Sequence, residues 1–328
     1  MNNKILFGCR ISRIIQVRDP SGITKARSQE GGAYQRELVL YPYDHVEWNA
    51  VKDTAFEVES LGYDSLILPD HLMLGKERLE AWTTMAALGA LTKTIRLLHL
   101  VLCASYRGPP TIFAKQSATL DFITNGRFDL GIGAGYEQVE FEAYGIPWRP
   151  YRRRIAELDE YLDVVKLMWT QDEVNYDGQY YKVKGAYTAP KPVQKPHPPI
   201  VVGGYGKPTL KVAAKHANWI NVSGEIANCK RSIRIVEEHC QSIGRDPSEI
   251  SKSWGEWAAL FEDEDDLKKN DAFIKTSPST WCGTPEQYVD RIQEYVDLGV
   301  SYITPRFVDL PSKKSIRLFA ERVIPQFK

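Results

Sequence analysis

Apolar stretches of strand length alternate with longer stretches of helical period along most of these 328 residues. That alternation restricts the chain to an architecture of parallel strands joined by helices. "ILFGCRI" (5–11) reads as the first strand, and the helix at 46–62 ends on a glycine suited to a left-handed stop. "DSLILP" (64–69) and "IRLLHLVLC" (95–103) are the next strands, separated by a helix at 80–92. The third strand is apolar almost throughout, as expected of one buried on both faces. A helix over 109–124, the strand "RFDLGIG" (127–133) and a helix over 152–169 continue the pattern. It resumes with strands at "IVVGG" (200–204), "WINVSG" (219–224), "SKSWGEWAAL" (251–260) and "SYITPRF" (301–307), each followed by a helical stretch. Eight strand slots with intervening helices predict an α/β fold, a (β/α)8 TIM barrel, as one domain over residues 1–328.

Two stretches break the rhythm. Residues 171–199 read as an insertion, a hairpin turning at Asp177-Gly178 followed by the proline-rich run "APKPVQKPHPP". Residues 13–44 form a long polar connection after the first strand, which in a barrel lies over the mouth and is expected to act either as a substrate lid or as a mobile surface loop.

Lys plus Arg balance Asp plus Glu at 42 each, so the net charge carries no footprint for nucleic acid or an anionic membrane. No apolar run approaches the roughly 18 residues of a membrane span. Five scattered cysteines without metal-like spacing read as free thiols of a reducing compartment. With no visible signal peptide, a cytoplasmic protein acting on a small molecule is expected.

The chemistry concentrates at strand ends. Strand four closes on Gly131 and Gly133, followed by Ala134, Gly135, Tyr136 and an acidic run. Glycines there admit either a ligand or a close neighbouring strand. "GGYG" (Gly203, Gly204, Tyr205, Gly206) precedes a helix and suits an anion on backbone N–H groups, or a plain tight turn. Neither cluster is a dinucleotide fingerprint or a P-loop. Strand two ends at Asp70 and His71; the histidine is either structural or, at the rim, placed for proton transfer, and the aspartate either supports the imidazole or caps a backbone turn. Cys103, Tyr106 and Arg107 leave strand three; Tyr106 and Arg107 either line the mouth or, for the arginine, pair with a helix carboxylate. Trp254 and Glu256 alternate on one face of strand seven, toward the mouth or satisfied by an arginine. His99 lies inside strand three and reads as core, and no histidine pattern supports a metal centre.

Taken in order, "LGYDSLILPDHL", "ATLDFITNGRFDLGIGAGYEQVEFEAYGIPW", "PKPVQKPHPPIVVGGYG" and "CGTPEQYVDRIQEYVDLGVSYI" resemble the bacterial luciferase-like superfamily of flavin- and deazaflavin-dependent barrel enzymes, over roughly residues 40–325. The resemblance implies a cofactor at the barrel mouth. Its ring would lie beside Cys103, Ala134, Gly135 and Tyr136 and be backed by a cis peptide at Leu100–Val101, with its phosphate on Gly203 to Gly206. Asp-His after strand two and "GAGY" after strand four look like the coenzyme F420 branch, in which His71 exchanges a proton while hydride moves. The sugar-phosphate dehydrogenases of that branch carry a glutamate where Tyr136 stands, which argues against glucose 6-phosphate. Two alternatives stay open: an FMN-dependent monooxygenase, which needs a flavin reductase, and a non-catalytic flavin-binding protein. A homodimer is expected, as is common among such proteins.

Overall fold

The structure, a computed structural model, describes residues 4–11, 16–17, 24–26, 38–40, 44–45, 47–73, 79–277, 279–310 and 312–328. Eight parallel strands form the barrel, numbered here in chain order: β1 (Leu6–Arg10), β2 (Ser65–Leu68), β3 (Arg96–His99), β4 (Phe128–Gly133), β5 (Ile200–Val202), β6 (Trp219–Val222), β7 (Ser251–Trp254) and β8 (Tyr302–Ile303). Each pairs with the next, and β1 closes the ring on β8 with Leu6 opposite Tyr302. The helices on the outside are α1 (Trp48–Ser60), α2 (Ala81–Leu91), α3 (Pro110–Ile123), α4 (Gln138–Ala143), α5 (Tyr151–Thr170), α6 (Lys207–His216), α7 (Ile226–Ser242), the short α8 (Glu264–Lys269) and α9 (Asp271–Thr276), α10 (Pro285–Asp297) and α11 (Lys314–Leu318). No described helix is long and apolar enough to cross a membrane.

Because strand side chains alternate, each strand divides its residues between two cores. Leu6, Ile67, Leu98, Val201 and Tyr302 fill the barrel interior. Phe7, Leu66, Leu97, Ile132 and Ile303 belong to the larger layer between barrel and helices. In β1 the inward set is therefore residues 6, 8 and 10. At the N-terminal end a cavity of about 250 Å³ is lined by Asp64, Arg96, Asp129, Gln194, Trp219 and Tyr302. The functional mouth lies at the other end.

Local chemistry sets the boundaries. α1 stops at Gly62, whose φ of +76° is left-handed. α10 starts on a reciprocal capping box of Thr284 and Gln287, and the Asp263 carboxylate caps α8. The expected hairpin pairs Val174–Asp177 with Lys182–Ala186, antiparallel. Its turn is longer than a two-residue one, and the Glu160 carboxylate of α5 accepts the N–H groups of Gln179, Tyr180 and Tyr181. Between residues 13 and 44 the described backbone forms two antiparallel pairings, Gln16–Val17 with Asp44–His45 and Thr24–Ala26 with Leu38–Leu40. The rest of that stretch, and with it the expected lid, lies outside the described residues.

The seventh and eighth strand slots are each interrupted. A Cβ at Gly255 would lie 1.9 Å from the Thr304 carbonyl oxygen, so only glycine lets the two strands approach there. Beyond the break, Trp257–Leu260 pairs with Arg306–Phe307 and with Thr280–Gly283, a strand the sequence reading did not anticipate.

The glycines of β4 have a comparable purpose. A Cβ at Gly131 would sit 1.7 Å from the His99 carbonyl oxygen, and one at Gly133 would crowd Val101 and the Gly203 carbonyl at 3.1 and 3.2 Å. Gly131→Ala is expected to destabilise the fold by roughly 3 kcal/mol or to prevent folding, because backbone must move. Gly62→Ala, where nothing lies within 4 Å of the added carbon, costs only the left-handed penalty of about 1–2 kcal/mol. Urea denaturation of the two variants gives the comparison directly.

Candidate active site

At the C-terminal ends of β2, β3 and β4 a histidine is held from both sides. His71 Nδ1 lies 3.1 Å from Glu140 Oε2 on α4, and Nε2 lies 3.1 Å from the Tyr136 hydroxyl. Glu140 is fully buried. Its other oxygen accepts the N–H groups of Leu72 and Met73, both at 2.7 Å, and the Tyr106 hydroxyl donates to Oε2 at 3.2 Å. A carboxylate can only accept, so Nδ1 carries the proton toward Glu140. With the proton on Nδ1, Nε2 is the ring atom that faces the Tyr136 hydroxyl. Tyr136 meets the imidazole edge-on and is 62% exposed, so this nitrogen communicates with the mouth through a movable phenol.

The expectation that Asp70 supports His71 is corrected. Asp70 turns the other way and accepts the Cys103 N–H at 2.9 Å and the Arg107 guanidinium at 3.1 and 3.2 Å. Burial pushes the Asp70 carboxyl up, against the opposing pull of Arg107. Arg107 also donates to Glu80 at 2.7 Å. With its side chain 7% exposed, it is a buried clamp between strand end and α2, and is not placed to meet a substrate. Tyr106 likewise serves Glu140, its ring packed on Phe141 at 5.1 Å.

Trp254 and Glu256 do share a face, but it is the outer one, which overturns their assignment to the mouth. Trp254 stacks on Tyr295 of α10 at 3.7 Å, and Glu256 accepts two bonds from Arg291 of the same helix, at 2.6 and 2.8 Å. Alternation turns Trp257 to the mouth side instead, where the Arg306 guanidinium lies 4.3 Å from its ring centre. His99 is core as expected, stacked on Trp82.

The Leu100–Val101 peptide is cis. Leu100 packs on the barrel interior, and Val101 sits against Gly133 of β4 and Gly203 just after β5, where a Cβ on Gly203 would approach it to 2.6 Å. Gly135, with φ of +75°, leaves room for the Cys103 sulfur and the Phe141 ring. Burial raises the Cys103 thiol to about 12, so it is not a nucleophile. Ala134 is buried beside it. The β4 glycines thus receive the protein's own side chains, and the exposed surface they leave is that of Tyr136.

On the β5 side, Gly203, Gly204, Tyr205 and Gly206 lead into α6. Gly206 is the N-cap, no side chain caps the helix, and Pro208 stands in its first turn. The helix therefore presents uncapped N–H groups at its positive end, the arrangement that suits a phosphate. Tyr205 is 62% exposed above it, and the Tyr151 hydroxyl bonds Thr209 at 2.9 Å alongside.

Sequence reasoning missed Glu140, Trp257 and Arg10. The signal for Glu140 was faint: within the acidic run it adjoins Phe141, and these two residues are the buried pair of α4. Arg10 was legible as the one charge on the inward register of an otherwise apolar strand.

The clamp makes a testable statement about acid. Burial pushes the Glu80 carboxyl up, but the Thr83 N–H, the Arg107 guanidinium and the Trp82 N–H outweigh it and hold it down at about 2, against an ordinary 4.5. A depressed carboxyl stabilises the fold above its unfolded value and loses that contribution as the pH falls toward the folded one. Glu80→Gln is expected to show a shallower fall in Tm between pH 4.5 and about 2 than the wild type, read from melting curves across that window.

A family described as luciferase-like monooxygenase matches residues 23–274. The chain is 25% identical over 317 residues to the F420-dependent glucose-6-phosphate dehydrogenase of Microbacterium testaceum, covering 85% of this chain and 94% of that one. It is 26% identical over 292 residues to the FMNH2-dependent dimethylsulfone monooxygenase of Pseudomonas putida, covering 75% of this chain and 78% of that one. In fold it is similar to an F420-dependent secondary alcohol dehydrogenase in complex with an F420-acetone adduct, with a TM-score of 0.75, 20% identity and 99% of each chain covered. With the match spanning most of the barrel, the chain belongs to the luciferase-like monooxygenase family.

Proposed function

We propose that this protein is an oxidoreductase that seats coenzyme F420 in the barrel mouth and transfers hydride to or from a small organic substrate, with His71 moving the accompanying proton. The observation that carries the reading is the relay of Glu140, His71 and Tyr136 at the ends of β2 and β4. The likeness to two F420-dependent dehydrogenases supports the choice of cofactor.

The residues fit such a ligand. Val101, Ala134 and Gly135 would border its ring. Gly204 to Gly206 and the uncapped start of α6 would hold its phosphate. A bound deazaflavin supplies hydride chemistry with little reaction toward oxygen. The protein's own part is the proton. Glu140 fixes the imidazole tautomer and would stabilise the imidazolium formed when Nε2 takes a proton. In the described arrangement that nitrogen is covered by Tyr136, so a substrate hydroxyl either displaces the phenol or exchanges its proton through it. Tyr136 would thus stand where a substrate first meets the relay.

The likeness to the dimethylsulfone monooxygenase favours a second reading, in which the same mouth holds reduced FMN supplied by a separate reductase. The relay is compatible with either.

His71→Ala is expected to bind F420 with unchanged affinity and to lose about 100-fold or more in kcat on whichever alcohol, aldehyde or activated alkene the wild type turns over. Full turnover in that variant removes His71 from the reaction. Glu140→Gln is expected to keep cofactor binding, lower kcat by about tenfold and displace the pH–rate profile, since only the orientation and charge support of the imidazole change. An unchanged profile would make Glu140 structural.

A further inference from the structure

Among the described residues, no carboxylate answers the charge of Arg10. It ends β1 on the inward register, so its side chain enters the barrel at the mouth end. Its one side-chain partner among the described residues is the Thr304 hydroxyl, 2.6 Å from Nη2, and Thr304 in turn donates to the Trp254 carbonyl. Arg10 Nε is buried without a partner. No carboxylate among the described residues bonds this guanidinium. The charge that acts on it most strongly is another cation, Arg306, which comes from the strand beside it and is oriented by stacking on Trp257. Tyr205, from the β5 side, is close enough to favour the cation.

Such a placement is expensive. Burial first, and Arg306 second, pull the Arg10 guanidinium down to about 9, far below the range in which arginine ordinarily sits. A buried cation normally has an ion or a carboxylate beside it. Other arginines at the rim obey that rule: Arg107 has Asp70 and Glu80, and Arg291 has Glu256.

We infer that Arg10, with Arg306 beside it, binds an anionic group, a carboxylate, sulfonate or phosphate, of the small substrate. Arg10 brings its charge and its unpartnered Nε–H to that group on a planar guanidinium, a geometry that suits oxyanions. Trp257 walls the subsite through its stack on Arg306. The inference rests on the reading of this mouth as the reaction site and narrows its substrates to organic acids, in place of the neutral alcohols that the relay alone would admit. The same oxyanion chemistry has a second source, an anionic portion of the cofactor itself, and the test separates the two.

The full-length protein is titrated with methanesulfonate, acetate and inorganic phosphate, followed by calorimetry and tryptophan fluorescence, first alone and then with its cofactor bound. The expected result is saturable binding of at least one anion in both states, weakened about tenfold or more in Arg10→Gln and by less in Arg10→Lys, which keeps the charge without the planar donors. Arg306→Gln, weakened in the same direction, keeps the test decisive if Arg10→Gln does not fold. Affinity unchanged in a folded Arg10→Gln overturns the inference. So does competition between the anion and the cofactor together with a tenfold loss of cofactor affinity in that variant, because the anion is then the cofactor's. If neither F420 nor FMN binds while anion binding still depends on Arg10, the subsite stands and the proposed reaction falls.

Discussion

The closeness of β3, β4 and β5 at the barrel mouth is the constraint on which the rest of the site depends. A side chain at Gly131 would meet the His99 carbonyl at 1.7 Å, and one at Gly203 would meet Val101 at 2.6 Å. Without glycine at these points the strands would separate, and the cis-linked Leu100–Val101 segment would lose its seat between them. Two further groups are set by the same approach. Cys103 reaches Gly135 and offers its N–H to Asp70, and the chain leaving β4 turns early enough for α4 to carry Glu140 under His71.

Charge is distributed around that frame in a consistent way. Asp70, Arg107 and Glu80 neutralise one another within the wall, and Glu256 and Arg291 do so behind it. Glu140 gathers backbone N–H groups, a phenol and an imidazole, leaving one nitrogen of His71 directed to the mouth by way of Tyr136. Across the barrel, the side-chain partner of Arg10 among the described residues is the Thr304 hydroxyl. The wall groups serve rigidity. His71 Nε2, reached through Tyr136, the uncapped start of α6 and Arg10 all stand at the C-terminal side of the barrel strands.

Much of this was legible from the residues because it is local. Strand and helix periods, the Gly62 stop and the strand-end positions of His71 and Tyr136 depend on neighbours in sequence. What was misread depends on the tertiary fold. A period of two shows that Trp254 and Glu256 share a face, yet both faces of a barrel strand are apolar, and only closure decides which one meets α10. The Asp70–His71 pairing failed for a related reason. Adjacent residues in a strand-like segment point apart, so Asp70 found Arg107, 37 residues away, while His71 found Glu140, 69 residues away. The glycines of β4 were expected at the ligand. In the fold they first admit Val101, Cys103 and Phe141, and they bring the mouth surface close as a consequence.

The most direct measurement is a paired equilibrium titration of the purified protein with coenzyme F420 and with FMN, followed by cofactor fluorescence. Tight saturable binding of F420, with FMN weaker by about tenfold or more, is the result expected of a deazaflavin hydride-transfer enzyme. A clear preference for FMN would contradict that assignment and move the same mouth to oxygen chemistry. Binding of neither would contradict both.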